Sequence, residues 1–278
     1  MNTAKIISCE LFPPKTASGM QKMQTVVGEL QTRQPAYFSC TYGAGGSDRD
    51  KTFATVDWLC AEGLNVAPHL TCIGNNQADT LDILRRYQQQ GIQRIVALRG
   101  DRPAGSAPAE HELIHANELV RLIRQEFADQ FHIEVAAYPE MHPEADNLKV
   151  DLDHFQRKVE AGADGAITQY FYTVEAYSHF IEACAKRRIQ VPIIPGIMPI
   201  INYANLCRFS ARCGAEIPRW LGKQLDSYGD DQASIQAFGA DVVSRICTQL
   251  LAAGAPGLHF YTLNQAQPTL AIWDRLSL

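Results

Sequence analysis

Eight short apolar runs recur along the chain: Lys5–Phe12, Ala36–Thr41, Asn65–Thr71, Arg94–Leu98, Ile133–Ala137, Gly165–Thr168, Val191–Pro195 and Gly257–Tyr261. They are apolar at consecutive rather than alternate positions, which predicts strands covered on both faces, as in a parallel sheet. Amphipathic stretches of helical period lie between them, among them Asp79–Gln90, Leu113–Phe127, Leu152–Ala161 and Val174–Arg188. Gly91, Gly162 and Gly254 fall just past helical patterns, where a left-handed residue closes the last turn. Asp50-Lys51-Thr52 and Asp146-Asn147 are predicted helix starts. The segment Ala215–Asp231 is the least regular and predicts an extra helix before the last strand.

Strands alternating with helices imply right-handed βαβ units and a parallel sheet. Eight units predict an α/β fold closed as a (β/α)8 TIM barrel. The length of 278 residues suits one such domain over residues 1–278. A doubly wound sheet is the alternative, but Gly43-Ala44-Gly45-Gly46 does not match the dinucleotide fingerprint and reads as a mouth loop. Hydrophobic residues make up 46% and charged residues 20%, a globular balance, and the net charge of −5 argues against a nucleic-acid partner. No apolar stretch approaches the roughly 20 residues of a membrane span, and the N-terminus lacks a secretory core. The eight cysteines show no metal-ligand spacing and, inside apolar runs, read as reduced buried thiols of a cytoplasmic protein.

In a parallel barrel the residues at the strand C-termini share one mouth. Read in order they are Glu10; Thr41 and Tyr42; His69 and Thr71; Arg99, Gly100 and Asp101; Tyr138, Glu140 and His142; Gln169 and Tyr170; Tyr261 and Asn264. Such a set orients a polar heterocycle through hydrogen bonds and offers carboxylates for proton transfer. Glu10 precedes Phe12-Pro13-Pro14, whose restricted backbone makes it a candidate general acid held at a rigid strand end. No nucleophile paired with a base is apparent. His111 and His115, four residues apart, read as surface histidines, and His69 reads equally as a core histidine or a mouth ligand.

Taken together these segments resemble the methylenetetrahydrofolate reductase family, of the bacterial single-domain type. The matching stretches include Glu10-Leu11-Phe12-Pro13-Pro14-Lys15-Thr16, Thr41-Tyr42-Gly43-Ala44, Ala67-Pro68-His69-Leu70-Thr71 and Ile95–Asp101. Further along are Ala136-Ala137-Tyr138-Pro139-Glu140, His142-Pro143-Glu144-Ala145, Ala166-Ile167-Thr168-Gln169 and His259-Phe260-Tyr261-Thr262-Leu263-Asn264, covering nearly the whole chain in one order.

The resemblance implies a flavoprotein in which FAD takes a hydride from NADH or NADPH and passes it, in ping-pong fashion, to 5,10-methylenetetrahydrofolate. The product is 5-methyltetrahydrofolate, the methyl source for methionine synthesis. It implies Glu10 as the general acid, Asp101 beside flavin and folate, Gln169 on the pterin and Phe209 packing on substrate. For FAD it implies Thr41, Tyr42, Ala44, His69, Leu98, Arg99, Gly100, Asp101, Ala137, Tyr138, His142, Glu144, Asp151, Arg157 and Lys158. A homo-oligomer, small-molecule substrates, no metal and no C-terminal regulatory domain are further expectations. Three positions depart from the family pattern: Gln265, commonly Arg; Asn205, often Gln; and His154, commonly Asn. The alternatives are a flavin-free reductase on the same barrel and a non-catalytic folate- or flavin-binding subunit.

Overall fold

Each strand hides both faces, one against the helices outside and one toward the barrel axis, so consecutive apolar residues are what the fold requires. The computed structural model describes residues 5–42, 46–101 and 112–276, with 46–48 described in backbone only. Along the chain run β1 (Ile6–Leu11), α1 (Ala17–Gln31), β2 (Tyr37–Cys40), α2 (Gly46–Ala61), β3 (Val66–Thr71) and α3 (Gln77–Gln89). Next come β4 (Arg94–Leu98), α4 (Ala116–Phe127), β5 (His132–Ala137), α5 (Leu148–Glu160), β6 (Gly165–Tyr170) and α6 (Val174–Lys186). The last are β7 (Ile193–Ile197), α7 (Tyr203–Cys213), α8 (Arg219–Ser227), α9 (Gln232–Ala252), β8 (Gly257–Tyr261) and α10 (Ala266–Trp273). Every strand pairs in parallel with its sequence neighbour, and β8 returns to β1, so the sheet closes into the expected eight-stranded barrel.

Alternate residues of each strand face opposite ways. On β1 and β8, Cys9, Leu11, Leu258 and Phe260 join the large core under the helices. The other parity faces the axis, where Tyr37, Ala67, Val96 and Ile167 make a much smaller apolar cluster. The rest of the buried interior is polar and includes Ser8, Ser39, His69, Glu134 and His259. At the strand N-termini Glu134 is buried against Arg94 at 2.5 Å and His132 at 3.1 Å, and Arg94 lies 4.7 Å over the Tyr37 ring. That ion pair occupies the end of the barrel opposite the mouth.

The predicted boundaries shift for local reasons. Strand β7 runs Ile193–Ile197 rather than Val191–Pro195, carrying Gly196 into the ladder. Strand β6 extends to Tyr170, with a register shift between Ile167 and Tyr170, which places Gln169 inside the strand. Helix α2 starts at Gly46, so Asp50-Lys51-Thr52 lie within it rather than at its start; the Thr52 hydroxyl donates to the Thr41 carbonyl at 3.3 Å, tying the helix to the end of β2. Helix α4 starts at Ala116 rather than Leu113, because the Glu118 carboxylate accepts from the Ile114 and His115 amides at 2.8 and 3.3 Å. As expected, Asn147 caps α5, Gly91, Gly162 and Gly254 take positive φ, and the irregular segment contains helix α8. No helix among the described residues is long and apolar enough to cross a membrane.

Gly196 is required where β7 meets its neighbours. Its amide accepts no substitute geometry: it donates to Thr168 Oγ1 at 2.9 Å, and a Cβ there would press into the Thr168 carbonyl and lie 2.6 Å from the Tyr261 ring. Gly196→Ala is therefore expected to destabilise the protein by about 1–3 kcal/mol or more, read as a lower midpoint in denaturant unfolding.

Candidate active site

Glu10, one residue before the end of β1, projects into the barrel mouth with its side chain 19% exposed. Its strand end is held across the seam of the barrel. The Thr262 hydroxyl donates to the Glu10 carbonyl at 2.6 Å. The Asn264 side chain accepts from the Phe12 amide at 3.0 Å and donates to the Phe12 carbonyl at 2.8 Å. Leu263 and Asn264 both adopt φ of 52°, the left-handed turn that lets Asn264 reach back.

Two histidines converge on one oxygen of that carboxyl. His69 Nε2, from β3, lies 3.5 Å from Glu10 Oε2, and His259 Nε2, from β8, lies 3.9 Å from it. His259 Nδ1 is engaged by the Ser8 hydroxyl at 2.7 Å. Neither Nε2 has a hydrogen-bond partner among the described residues. Burial drives the His69 imidazole down from its ordinary 6.5 to about 4, opposed by the Glu10 charge and assisted by His259, so it is neutral near pH 7. Serine, histidine and glutamate thus meet, but not as a nucleophilic triad. Ser8 is fully buried behind the imidazole, leaving the carboxyl as the exposed member.

A second arc spans the ends of β2 to β5. The Tyr42 hydroxyl donates to Asn75 Oδ1 at 3.0 Å, and Asn75 donates to the Thr71 carbonyl at 3.3 Å. Leu98 ends β4, and Gly100 follows at φ of 85° with its α-carbon so close that a Cβ would stand 3.0 Å from the Thr71 Cβ. Asp101 is exposed beyond it. Arg99 pairs with Glu144 at 2.6 Å; this bond raises the guanidinium and lowers the carboxyl of Glu144. The Asp151 carboxylate accepts from the His142 amide at 3.0 Å, and the Tyr138 and His142 rings meet edge-on at 4.6 Å. Burial pushes the Tyr138 phenol up to about 12 and lowers His142, the latter helped by Arg99. The Lys158 ammonium donates to the Ala136 carbonyl at 2.6 Å and is pushed down to about 8 by burial, partly offset by Asp151.

Most residues expected around a flavin therefore do gather on this arc. Ala137 is buried toward the helices, so only its backbone is available. Arg157 and His154 lie exposed on α5, and Arg157 does not share the Lys158 environment, since adjacent helical residues point apart. Ala44 and His111 lie outside the described residues. His115 is at the start of α4, away from any ligand cluster. Gln169 and Phe209 line separate recesses. Gln169 joins Tyr138, Glu140, Tyr170 and Cys213. Phe209 joins Asn202, Asn205, Leu263 and Gln265 in a recess of ≈ 320 Å³. Tyr170, in the first of these, is hydrogen-bonded to Ser210 of α7 at 3.0 Å.

Sequence reasoning missed Ser8 and His259. The usable signal was parity, for Ser8 shares a face with Glu10 and His259 with Tyr261.

A closed parallel barrel with a sheltered carboxyl at its carboxyl-terminal mouth and an arc of paired charges beside it defines an enzyme of the (β/α)8 class. The profile of the methylenetetrahydrofolate reductase family matches residues 1–277, and the chain belongs to that family. It is 40% identical to the 5,10-methylenetetrahydrofolate reductase of Escherichia coli (strain K12) over 273 residues, covering 98% of this chain and 90% of that protein. To the enzyme of the same name from Buchnera aphidicola subsp. Schizaphis graminum it is 40% identical over 272 residues, covering 98% and 91%. A solved Clostridium thermocellum protein described as binding two copies of 5-methyl-5,6,7,8-tetrahydrofolic acid superposes with a TM-score of 0.71 at 17% identity, covering 98% and 96%. That likeness speaks for the fold alone.

The burial of neutral His69 has a measurable signature. Between pH 6.5 and about 4 the unfolded chain binds a proton that the folded chain does not, so stability falls as the pH drops through that window. His69→Gln should flatten the slope of unfolding free energy against pH there, whatever its effect at neutral pH.

Proposed function

We propose that this protein reduces 5,10-methylenetetrahydrofolate to 5-methyltetrahydrofolate with FAD as resident cofactor and NADH or NADPH as donor, the two substrates using one mouth in turn. The observation that carries this reading is the Glu10 carboxyl, clamped at the barrel seam with two imidazoles behind it and open only toward the mouth. Family membership supports the substrate and the reaction class.

The β2–β5 arc fits a flavin dinucleotide. Gly100 brings the end of β4 tight against Thr71 where a side chain would collide, and its missing side chain would let a flat ring approach the backbone closely. Lys158 and Arg99 supply positive charge for phosphate or ribose oxygens without a glycine-rich phosphate loop. Thr41, Tyr42, Ala137, Tyr138, His142, Glu144 and Asp151 complete the holding set, with Ala44, Arg157 and His69 carried by the resemblance. A bound flavin would supply two-electron redox chemistry between the nicotinamide donor and the folate.

The residues of this chain supply the rest. Glu10 donates the proton that folate nitrogen takes up when the methylene bridge opens to an iminium. Positioned proton transfer of this kind is worth typically about 10²–10⁴-fold. Asp101 sets negative charge beside the site of the cationic iminium, favouring it and disfavouring extra electron density on the flavin ring. Gln169 offers an amide to the pterin edge. The Phe209 recess, with Asn202, Asn205 and Gln265 on its rim, presents an aromatic face and uncharged amides to a heterocycle. Cytoplasmic location and homo-oligomeric assembly belong to the same reading.

Anaerobic stopped-flow absorbance tests the assignment. Glu10→Gln should leave bleaching of the flavin by NAD(P)H near the wild-type rate while slowing recolouring by methylenetetrahydrofolate about 10²–10⁴-fold. Equal losses in both steps would remove Glu10 from the acid role. Asp101→Asn should raise the flavin midpoint potential in a spectroelectrochemical titration, because a negative charge beside the ring is gone; an unmoved potential would place Asp101 away from it.

A further inference from the structure

We infer that Glu140 is a positioning residue for the reaction. Its carboxyl clasps the end of α7 to the loop after β5, and so sets how the Phe209 face of the substrate recess stands against the cofactor arc. This rests on the proposed function above and gives a task to a mouth carboxyl which that reading leaves unused.

The path of the chain carries it. The helix packed against β7 is α9, so α7 and α8 are inserted between that strand and its outer helix. Phe209 of α7 shares a recess with Leu263 and Gln265, which follow β8. One residue on, the Ser210 hydroxyl meets that of Tyr170, at the end of β6, at 3.0 Å. Cys213, the last residue of α7, and Gly214 line a recess with Tyr138 and Glu140, which follow β5. The helix thus lies across the mouth from the β8 side to the β5 side, and carries Phe209 with it.

Its far end is tied down at one corner. The Glu216 amide, three residues past α7, donates to Glu140 Oε2 at 2.9 Å. Gly214 closes the helix at φ of 75°, and a Cβ there would stand 3.0 Å from Pro143 Cγ and 3.6 Å from the Met141 carbonyl oxygen. On the facing loop the Met141 amide donates to the Tyr138 carbonyl at 3.3 Å, and Met141 is held at φ of 83°. A left-handed methionine is costly and persists only where its surroundings fix it. Glu140 sits inside that turn, between Tyr138 and His142 of the flavin-holding set.

The chemistry of the contact suits a clasp. A backbone amide donating to a carboxylate makes one of the stronger hydrogen bonds. Burial lifts the half-buried Glu140 carboxyl above its ordinary pKa, and the Glu216 amide, which favours the charged form, draws it back. Tyr170 with Ser210 is a neutral pair, and Gly214 against Pro143 is packing alone. Removing the Glu140 carboxyl therefore loosens the end of α7 while Tyr138, His142 and Glu144 keep their own contacts.

Steady-state kinetics of Glu140→Ala and Glu140→Gln against wild type test the clasp. Glu140→Ala should keep its flavin and hold kcat within about twofold, while KM for methylenetetrahydrofolate and for NAD(P)H rises about tenfold. Glu140→Gln, which keeps an oxygen to accept the amide, should recover most of that loss. An unmoved KM, a fall in kcat alone, loss of flavin, or a glutamine variant as impaired as alanine would each overturn the inference. Should Glu140→Ala not fold, hydrogen exchange of the wild-type protein decides. Protection of the Glu216 amide that deepens with 5-methyltetrahydrofolate bound supports the clasp, and protection unchanged by it overturns the clasp. The two readings fail separately: a wild type that bleaches but never recolours with folate would overturn the proposed reaction, whereas a raised KM for NAD(P)H in Glu140→Ala would still support the clasp.

Discussion

Everything at the mouth depends on the seam where the last strand pairs with the first. In register, Glu10 stands beside Tyr261, and just beyond the pairing Thr262 and Asn264 reach back to hold the backbone of Glu10 and Phe12. A parallel strand pair between chain segments this distant is expensive in loop entropy, and only closure of the whole barrel brings it about. The same closure that removes the sheet's edges therefore sets the direction of the sheltered carboxyl at the mouth. Two residues in the left-handed region at the turn, Leu263 and Asn264, show how tightly that corner is determined.

Burial then decides charge. The axis of this barrel is polar, and several groups there find a partner or change their protonation preference. His69 becomes a neutral imidazole and Lys158 gives up part of its affinity for a proton. Arg99 and Glu144, nearer solvent, stay as an ion pair that reinforces both charges. The mouth is divided accordingly. The β1, β3 and β8 side holds a carboxyl beside two imidazoles, suited to moving a proton. The β2–β5 side holds paired charges and a close backbone edge, suited to gripping an anionic cofactor. At the far end Arg94, Glu134 and Tyr37 form a separate cluster that closes the floor and plays no part in that division.

The local patterns were strong enough to be read one segment at a time. Consecutive apolar runs marked all eight strands, since a strand covered on both faces leaves that trace wherever it sits. Boundaries were less legible where a side chain rather than a propensity ends the element, as with Glu118 at the start of α4 or Thr52 inside α2. Most mouth residues could be named because they follow the strand ends directly. Ser8 and His259 could not, since a buried polar residue within an apolar run reads as core until its register with another strand is known.

The sequence by itself determined the alternation of elements, the count of strands, the family and the positions where chemistry could occur, because each is written in neighbouring residues. Only the tertiary structure decided which of those positions face one another. It set His69 and His259 on the same oxygen of Glu10, separated Gln169 from Phe209 into different recesses and left Arg157 on the surface while Lys158 turned inward. Barrel register, not composition, fixes those meetings. It joins strands remote in sequence and, through their shared pleat, decides which side chains share the axis.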